Sequence, residues 1–214
     1  MSGFGGFFVQ HASEIGRLTL EHLWLTVSAL LLACAIAVPL GILMTRYAAL
    51  AQPSLFVANT LQTIPSLALF GFLLPLPWLG ERAARIAIAA LTAYAVLPIL
   101  QNTYAGIRGI DPALQEVANA LGMTGMQRLR KIELPLSSSF ILAGIRTATV
   151  TCVGIATIAA AVGAGGLGEF IFRGVASVDN RLVLAGAVPA ALLALGADFS
   201  LGLLERALRV PGRR

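Results

Sequence analysis

Long uncharged apolar runs alternate along this chain with short segments that carry charges. The first run covers residues 23–45, between Glu21 and Arg46. Further runs, each with at most one charged residue, cover residues 86–107, 140–162 and 182–204. A helix of about 20 apolar residues crosses the hydrocarbon core of a membrane. The pattern therefore predicts a membrane-spanning helix over each of these segments.

Residues 47–80 form a further uncharged stretch, which contains Pro53, Pro65, Pro75 and Pro77. The stretch is too long for one straight spanning helix, and proline interrupts helical hydrogen bonding. We expect one span around residues 58–76, entered through an interfacial segment and followed by a proline-rich exit. Two short membrane segments are the alternative. Together the runs predict an all-α polytopic membrane protein with about five transmembrane helices and no second, soluble domain.

The composition agrees with a membrane protein. Of the 214 residues, 57% are hydrophobic and 12% are charged, and the mean hydropathy is +0.85. Soluble domains carry about 25% charged residues. Most of the arginines lie at the ends of apolar runs, where such charges set membrane topology, so the net charge of +5 does not indicate nucleic acid. Cys34 and Cys152 lie within apolar runs, and we expect both to be small buried side chains.

The distribution of lysine and arginine predicts the orientation. If the charged segment 111–135 is cytoplasmic, nine Lys and Arg residues lie inside and five lie outside. This excess places the amino terminus outside and the carboxyl terminus inside. We therefore predict an extracytoplasmic segment at 1–22, a transmembrane domain at 23–208 and a cytoplasmic tail at 209–214. A sixth membrane segment within residues 47–80 would move the amino terminus to the cytoplasm.

The segment 111–135 reads as a helix, a turn and a second short helix. Asp111 suits an N-cap, and Pro112 suits the first helical position. Gly122 stands where a left-handed C-cap is expected. Thr124 and Gln127 have the spacing of a capping box that starts the second helix. We expect that helix to end at 134–135, because a residue before a proline disfavours the α conformation.

Two features distinguish this segment from an ordinary solvated loop. The first helix places Ala113, Leu114, Val117, Ala118 and Leu121 on one face. The second carries a cationic stripe of Arg128, Arg130 and Lys131. Isolated helices shorter than about 12–15 residues are marginal in water. We therefore interpret the segment as a docking element for a soluble partner, with a capped surface loop as the alternative.

The segment resembles the coupling loop of permease subunits of bacterial ABC importers. The family signature E-x-A-x-x-x-G…I-x-L-P is matched by Glu116, Ala118, Gly122, Ile132, Leu134 and Pro135. Val117 departs from it, because the family usually has a second alanine there. The stretches LQTIPSLALFGFLLPL and GAGGLGEFIFRG, among others, resemble permeases of osmoprotectant importers for glycine betaine, carnitine or choline. Importers for methionine and other small solutes share the architecture.

This resemblance implies a type I-like permease in the bacterial cytoplasmic (inner) membrane. The implied partners are a cytoplasmic P-loop ATPase that docks on the 111–135 segment, an extracytoplasmic substrate-binding protein, and a second permease copy or a paralogue. ATP and Mg would be bound by the ATPase, with no cofactor in this chain. The glutamate and the glycine of the signature, here Glu116 and Gly122, matter most in that family.

The residues themselves argue against catalysis in this chain. A P-loop needs G-x-x-x-x-G-K-[ST], and the only lysine, Lys131, follows Arg130. His11 and His22 lie near the amino terminus without clustered metal ligands, so we expect no metal site. An ion-coupled secondary transporter remains an alternative, although it calls for carboxylates at mid-membrane and Asp198 is the only intramembrane carboxylate in the predicted spans.

Charged and polar residues inside the predicted spans are candidates for a pathway or a closure element. Arg146 and Asp198 lie at similar depth, and we predict that they pair directly or through water. A structural ion pair is the alternative interpretation. Asn59, Gln62 and Thr63 form a polar patch in the second span, which suits either interhelical hydrogen bonds or a path lining.

Two further patterns bear on the substrate path. Aromatic faces bind quaternary ammonium groups well, but Tyr94, Tyr104 and Trp78 are scattered along the chain. We infer that substrate selection lies on a binding protein. The glycines of the stretch GAGGLGE follow no predicted strand, so we expect a flexible joint at the outer mouth rather than a phosphate loop.

Overall fold

The computed structural model describes residues 4–76 and 82–208, and every regular element in these ranges is helical. The helices are α1 Phe4–Gln10, α2 Ala12–Arg46, α3 Ala48–Thr63, α4 Ser66–Leu73, α5 Ala83–Arg108, α6 Pro112–Ala120, α7 Gly125–Arg128, α8 Leu134–Ala156, α9 Gly168–Ser177 and α10 Asn180–Leu208. A π-helical segment, Leu129–Glu133, joins α7 to α8, and a 3₁₀ segment, Ile158–Val162, follows α8. The all-α prediction is confirmed.

Four helical stretches in the described ranges are long and apolar enough to cross a membrane, namely α2, α5, α10 and Gly125–Ala156. The bent pair α3 and α4 raises the number to as many as five. The predicted number of spans is therefore confirmed. Pro77 of the predicted proline-rich exit lies outside the described residues, as do Trp78 and the tail at 209–214.

The first span is longer than predicted. The helix α2 begins at Ala12, so the predicted boundary between residues 22 and 23 falls inside it. Leu18, Leu25 and Ala29 are buried at helical spacing, which continues the core-facing side across that boundary. Arg17 and Glu21 do not end the helix, because they pair with each other across one turn at 2.5 Å.

The described part of the uncharged stretch, residues 47–76, forms two short helices rather than one continuous helix over 58–76. The helices α3 and α4 meet at an angle of 101°. The break falls at Ile64, which adopts an extended conformation because Pro65 follows it. The Ile64 carbonyl, freed from the helix, accepts a hydrogen bond from the Tyr94 hydroxyl on α5. The region is thus a bent pair of short helices, which counts as one span if both helices cross the membrane together.

The helix α5 lies at the centre of the bundle, between α2 and α8, with α3 and α4 also packed on it. Small residues allow these close crossings. A side chain on Gly41 would lie 2.8 Å from Thr103, and one on Gly144 would lie 2.7 Å from the Pro98 carbonyl. Cys152 is buried, Cys34 is half-buried, and both are free thiols. The core is thus a tight three-helix contact that orders the surrounding elements.

Candidate coupling loop and translocation path

The first helix of the 111–135 segment has the predicted ends. The Asp111 carboxylate accepts a hydrogen bond from the Ala113 N–H at 2.9 Å, and Pro112 occupies the start of α6. Gly122 follows α6 with φ of +69°, in the left-handed region. A side chain there would meet nothing within 4 Å, so the backbone conformation, not space, favours glycine. Both cap predictions are confirmed.

The second helix begins as predicted but does not end at Pro135. Thr124 and Gln127 form both hydrogen bonds of the capping box, at 2.8 and 3.3 Å. The chain then runs through the π-helical segment directly into α8, and the Leu134 N–H bonds to the carbonyl of Leu129, five residues back. This wider turn shifts the carbonyls that Pro135 would otherwise meet. The segment is therefore mechanically continuous with α8.

Four large apolar side chains of the 111–135 segment are exposed, and so is the Glu116 carboxylate. We call the loop surface the group Leu114, Glu116, Val117, Leu121 and Met126, all of which are exposed. Its apolar members would lose unfavourable contact with water on docking. The loop surface has the composition of a partner-binding site.

Three of the six signature residues are exposed, and the other three are partly or fully buried. Glu116, Gly122 and Pro135 are exposed, whereas Ala118 is only 1% exposed. Ile132 and Leu134 are half-buried beside the π-helical segment. The exposed ones can contact a partner, whereas Ala118 is enclosed.

Glu133 is the residue that sequence reasoning missed. Its carboxylate is 1% exposed and accepts hydrogen bonds from Arg46 Nη1 at 3.0 Å, from Arg46 Nη2 and from Arg128 Nε at 2.9 Å. Arg128 also donates to Asn119 Oδ1 at 2.9 Å. Glu133 therefore joins the end of α2 to both helices of the segment and to the start of α8.

This network also corrects the predicted cationic stripe. Arg130 and Lys131 are exposed as expected, but the Arg128 side chain is only 20% exposed because it turns inward to Glu133. A buried carboxylate needs such partners. No local sequence pattern predicts the network, because Arg46 lies 87 residues from Glu133 and resembles an ordinary helix-end charge.

Arg146 and Asp198 pair as predicted. The Arg146 guanidinium donates to both Asp198 carboxylate oxygens, at 2.6 and 2.7 Å, and so links α8 to α10. Its remaining Nη1 reaches Glu205 Oε2 at 3.3 Å, a third member that the prediction lacked. Asp198 and Glu205 are seven residues apart on α10, a spacing that puts them on one face and could have revealed the trio.

The predicted polar patch of the second span divides into two groups. The Gln62 side chain donates to the Tyr94 carbonyl at 2.9 Å, so it ties the end of α3 to α5. Asn59 accepts a hydrogen bond from Gln101 on α5 at 3.4 Å. Thr63 bonds to the Thr60 carbonyl within its own helix. Gln62 thus acts as interhelical support, as one of the two interpretations expected.

A line of exposed polar side chains runs along α3 and α5. We call it the polar strip, and it consists of Gln52, Asn59, Thr63, Gln101 and Arg108. By contrast, the exposed side of α2 is apolar, with Leu20, Trp24 and Leu31 each at least half exposed. Polar groups at membrane depth face water or protein, and apolar ones suit lipid. The polar strip therefore marks the candidate translocation path.

A cavity of about 510 Å³ opens at the end of the polar strip nearest the 111–135 segment. Its lining includes Gln52, Phe56, Asn59, Tyr104 and Arg108. Tyr104 and Phe56 therefore share one cavity, whereas sequence reasoning placed the aromatic residues apart and did not consider Phe56. Tyr94 lies away from it and holds the break between α3 and α4.

The glycine-rich stretch lies at the opposite end of α8 from the 111–135 segment. Gly163, Gly165 and Gly166 all have positive φ, between 78° and 84°. The Gly166 N–H donates to Glu21 on α2 at 3.2 Å, and a side chain on Gly168 would fall 1.8 Å from the Thr157 carbonyl. These close approaches show why glycines recur here, in a turn held against α2.

The chain matches a known family over most of its length. Residues 37–210 match the family described as "Binding-protein-dependent transport system inner membrane component". The carnitine transport permease protein OpuCB of Listeria monocytogenes is 44% identical over 93% of this chain and 90% of its own length. The osmoprotectant import permease protein OsmW of Salmonella typhimurium is 41% identical over 97% of this chain and 98% of its own length.

Solved structures support the same fold. The MetNI methionine ABC transporter, in an inward-facing conformation, contains a chain that superposes with a TM-score of 0.83 at 24% identity, over 92% of this chain and 96% of its own. An amino acid ABC transporter gives a TM-score of 0.75 at 18% identity, over 94% of this chain and 96% of its own. The chain therefore belongs to the family of inner membrane components of binding-protein-dependent transport systems, and it is a multi-pass membrane permease with the fold of type I ABC importers.

Proposed function

We propose that this permease forms the translocation path of an ATP-driven importer for an osmoprotectant such as glycine betaine, choline or carnitine. The observation that carries the proposal is similarity over nearly the whole chain to permeases named for such solutes. The choline transport system permease protein OpuBB of Bacillus subtilis, for example, is 41% identical over 96% of this chain. The polar strip and its aromatic cavity supply surfaces that suit a small polar solute.

In this proposal the loop surface docks on a cytoplasmic P-loop ATPase, which binds ATP and Mg and hydrolyses the nucleotide. The permease itself is non-catalytic. Because the 111–135 segment runs without interruption into α8, a displacement of the docked loop moves α8 and, through Arg146, α10. Two packings of these helices would expose the path to either side in turn. An extracytoplasmic binding protein delivers the solute, and a second permease copy or a paralogue completes the pore.

A methionine or other amino-acid importer is the second candidate, since the MetNI methionine ABC transporter shares the fold. Its identity to this chain is only 24%, below that of the osmoprotectant relatives. An ion-coupled secondary transporter is less well supported, because it would leave the loop surface without a partner.

Uptake into proteoliposomes tests the proposal. The permease, reconstituted with its ATPase subunit and binding protein, is supplied with labelled glycine betaine, choline, carnitine or methionine, with and without ATP. We expect ATP-dependent uptake of at least one quaternary amine and none of methionine. Uptake of methionine alone would contradict the substrate assignment, and uptake driven by an ion gradient without ATP would contradict the energy source.

A further inference from the structure

Arg108 stands at the end of the polar strip, on the last turn of α5, and it is exposed. Within residues 4–76 and 82–208, no carboxylate lies within ion-pairing distance of it, whereas Arg46, Arg128 and Arg146 each pair with at least one. Its guanidinium carbon lies 5.9 Å from the centre of the Tyr104 ring. Arg108 is thus a positive charge in the path whose carboxylate-binding capacity is unused within the described chain.

The cavity around Arg108 offers two kinds of recognition in one place. A guanidinium binds carboxylates through two parallel hydrogen bonds. The rings of Phe56 and Tyr104 line the same cavity, and aromatic faces attract quaternary ammonium groups. Gln52 and Asn59 add amide groups that can hydrogen-bond to a polar solute. At about 510 Å³ the cavity falls within the size of small-molecule sites.

We propose that Arg108 binds the carboxylate of a zwitterionic quaternary amine during its passage, while the trimethylammonium end lies against Phe56 and Tyr104. This inference rests on the proposed osmoprotectant import and specifies a solute-binding site on the translocation path. Glycine betaine and carnitine carry a carboxylate, whereas choline carries a hydroxyl group in its place. The site therefore distinguishes zwitterionic solutes from a purely cationic one.

The discriminating variant is Arg108→Gln, measured by ATP-dependent uptake in the assembled importer. We expect the kcat/KM for glycine betaine and carnitine to fall by roughly three- to tenfold, because one charge-assisted contact is lost at a partly solvated site. Choline uptake should stay within roughly twofold of wild type, because choline has no carboxylate for Arg108 to bind. Arg108→Lys should recover part of the loss, because it keeps the charge without the bidentate geometry.

Two further variants separate this role from a structural one. Arg181→Gln removes another exposed arginine, at the start of α10 and outside the path, and should leave all three uptake rates unchanged. Phe56→Leu should lower uptake of all three solutes alike, by roughly two- to fivefold, because each carries a trimethylammonium group. If choline is not imported by wild type, ATP hydrolysis by the assembled importer serves as the reference that Arg108→Gln leaves unchanged.

The outcomes distinguish failure of the Arg108 assignment from failure of the proposed osmoprotectant import. An arginine that only anchors the end of α5 at the membrane surface would affect the three solutes equally, and such a result would overturn the Arg108 assignment while leaving osmoprotectant import intact. Unchanged uptake of every solute would do the same, as would wild-type import of choline but of neither zwitterion. Failure of wild type to import any quaternary amine would overturn the proposed function itself.

Discussion

Glu133 connects the 111–135 segment to the bundle through a single buried carboxylate. Its two arginine partners come from α2 and from α7, and both keep part of their surface in water. Neutralising the carboxylate leaves two cations without a counter-charge in a mostly enclosed site. The segment would then lose its tie to the end of α2, although it would remain continuous with α8.

We predict that Glu133→Gln lowers the free energy of unfolding by about 2 kcal/mol, since it breaks a largely buried ion pair with two partners. Thermal unfolding of the purified permease measures this change. Glu116→Gln is the matched control, because that glutamate is exposed and should shift stability by less than about 0.5 kcal/mol. Equal melting temperatures for the two variants would show that the Glu133 network does not hold the segment.

Arg146 and Asp198 provide the second prediction at this scale. Arg146→Asp places three carboxylates together, and Asp198→Arg places two guanidinium groups together, so each should lower the melting temperature and the amount of permease in the membrane. The double exchange restores opposite charges and should recover at least half of each loss. A double variant no better than the worse single variant would show that the pair does not act as a unit.

The two ionic groups differ in how far the sequence reveals them. Arg146 and Asp198 are isolated charges in apolar runs at similar depth, so a pairing prediction needs only the cost of charge in a membrane. Glu133 lies in a charged segment, where a further carboxylate does not by itself indicate a buried ion pair. Its burial depends on Arg46, brought close only by the folded bundle.

At the scale of elements, α9 ends in a strained residue. Val178 has φ of 54° and ψ of 38°, and its side chain is 90% exposed. It is the left-handed residue after α9, where the Asp179 N–H bonds back to the Gly174 carbonyl at 2.8 Å. A β-branched residue is unfavourable in this conformation, and packing does not compensate for it.

We therefore predict that Val178→Gly stabilises the permease by about 0.5–1 kcal/mol, because relief of strain exceeds the added flexibility of the unfolded chain. Val175→Gly is the matched control, since Val175 is exposed on the same helix but has helical geometry. That change should destabilise by about 0.5–1 kcal/mol. The comparison requires melting curves of the wild type and of both variants, and shifts of the same sign would contradict the strain at Val178.

Helix positions were largely predictable, and helix junctions were not. The helix α5 covers Ala83–Arg108, close to the predicted 86–107. The prediction succeeded because the apolar run between Arg85 and Arg108 marks the helix. The prolines indicated an interruption near Pro65, but not the sharp bend there, because the contacts made by Tyr94 and Gln62 come from packing. The π-helical segment was not predicted either, because it depends on packing. It turns Glu133 toward Arg46 and allows Pro135 to remain within the helix.

At the scale of the whole molecule, the arrangement connects two surfaces through continuous helices. The loop surface is at one end, the polar strip lies along α3 and α5, and α8 packs against α5 on its way from the loop to the glycine-rich turn. Family membership follows from the sequence as a whole, whereas the division into lipid-facing, core and polar sides became visible only from burial in the folded chain. A mechanical account of import requires both.

The most direct test of this account is ATP-dependent glycine betaine uptake by an importer whose permease carries Glu116→Ala and Gly122→Val. The first change removes the carboxylate of the loop surface, and the second places a β-branched residue in the left-handed turn that sets the angle between α6 and α7. We predict that uptake and attachment of the ATPase subunit are both lost, while the permease still folds and inserts. Wild-type uptake and attachment in this variant would contradict transmission through the loop.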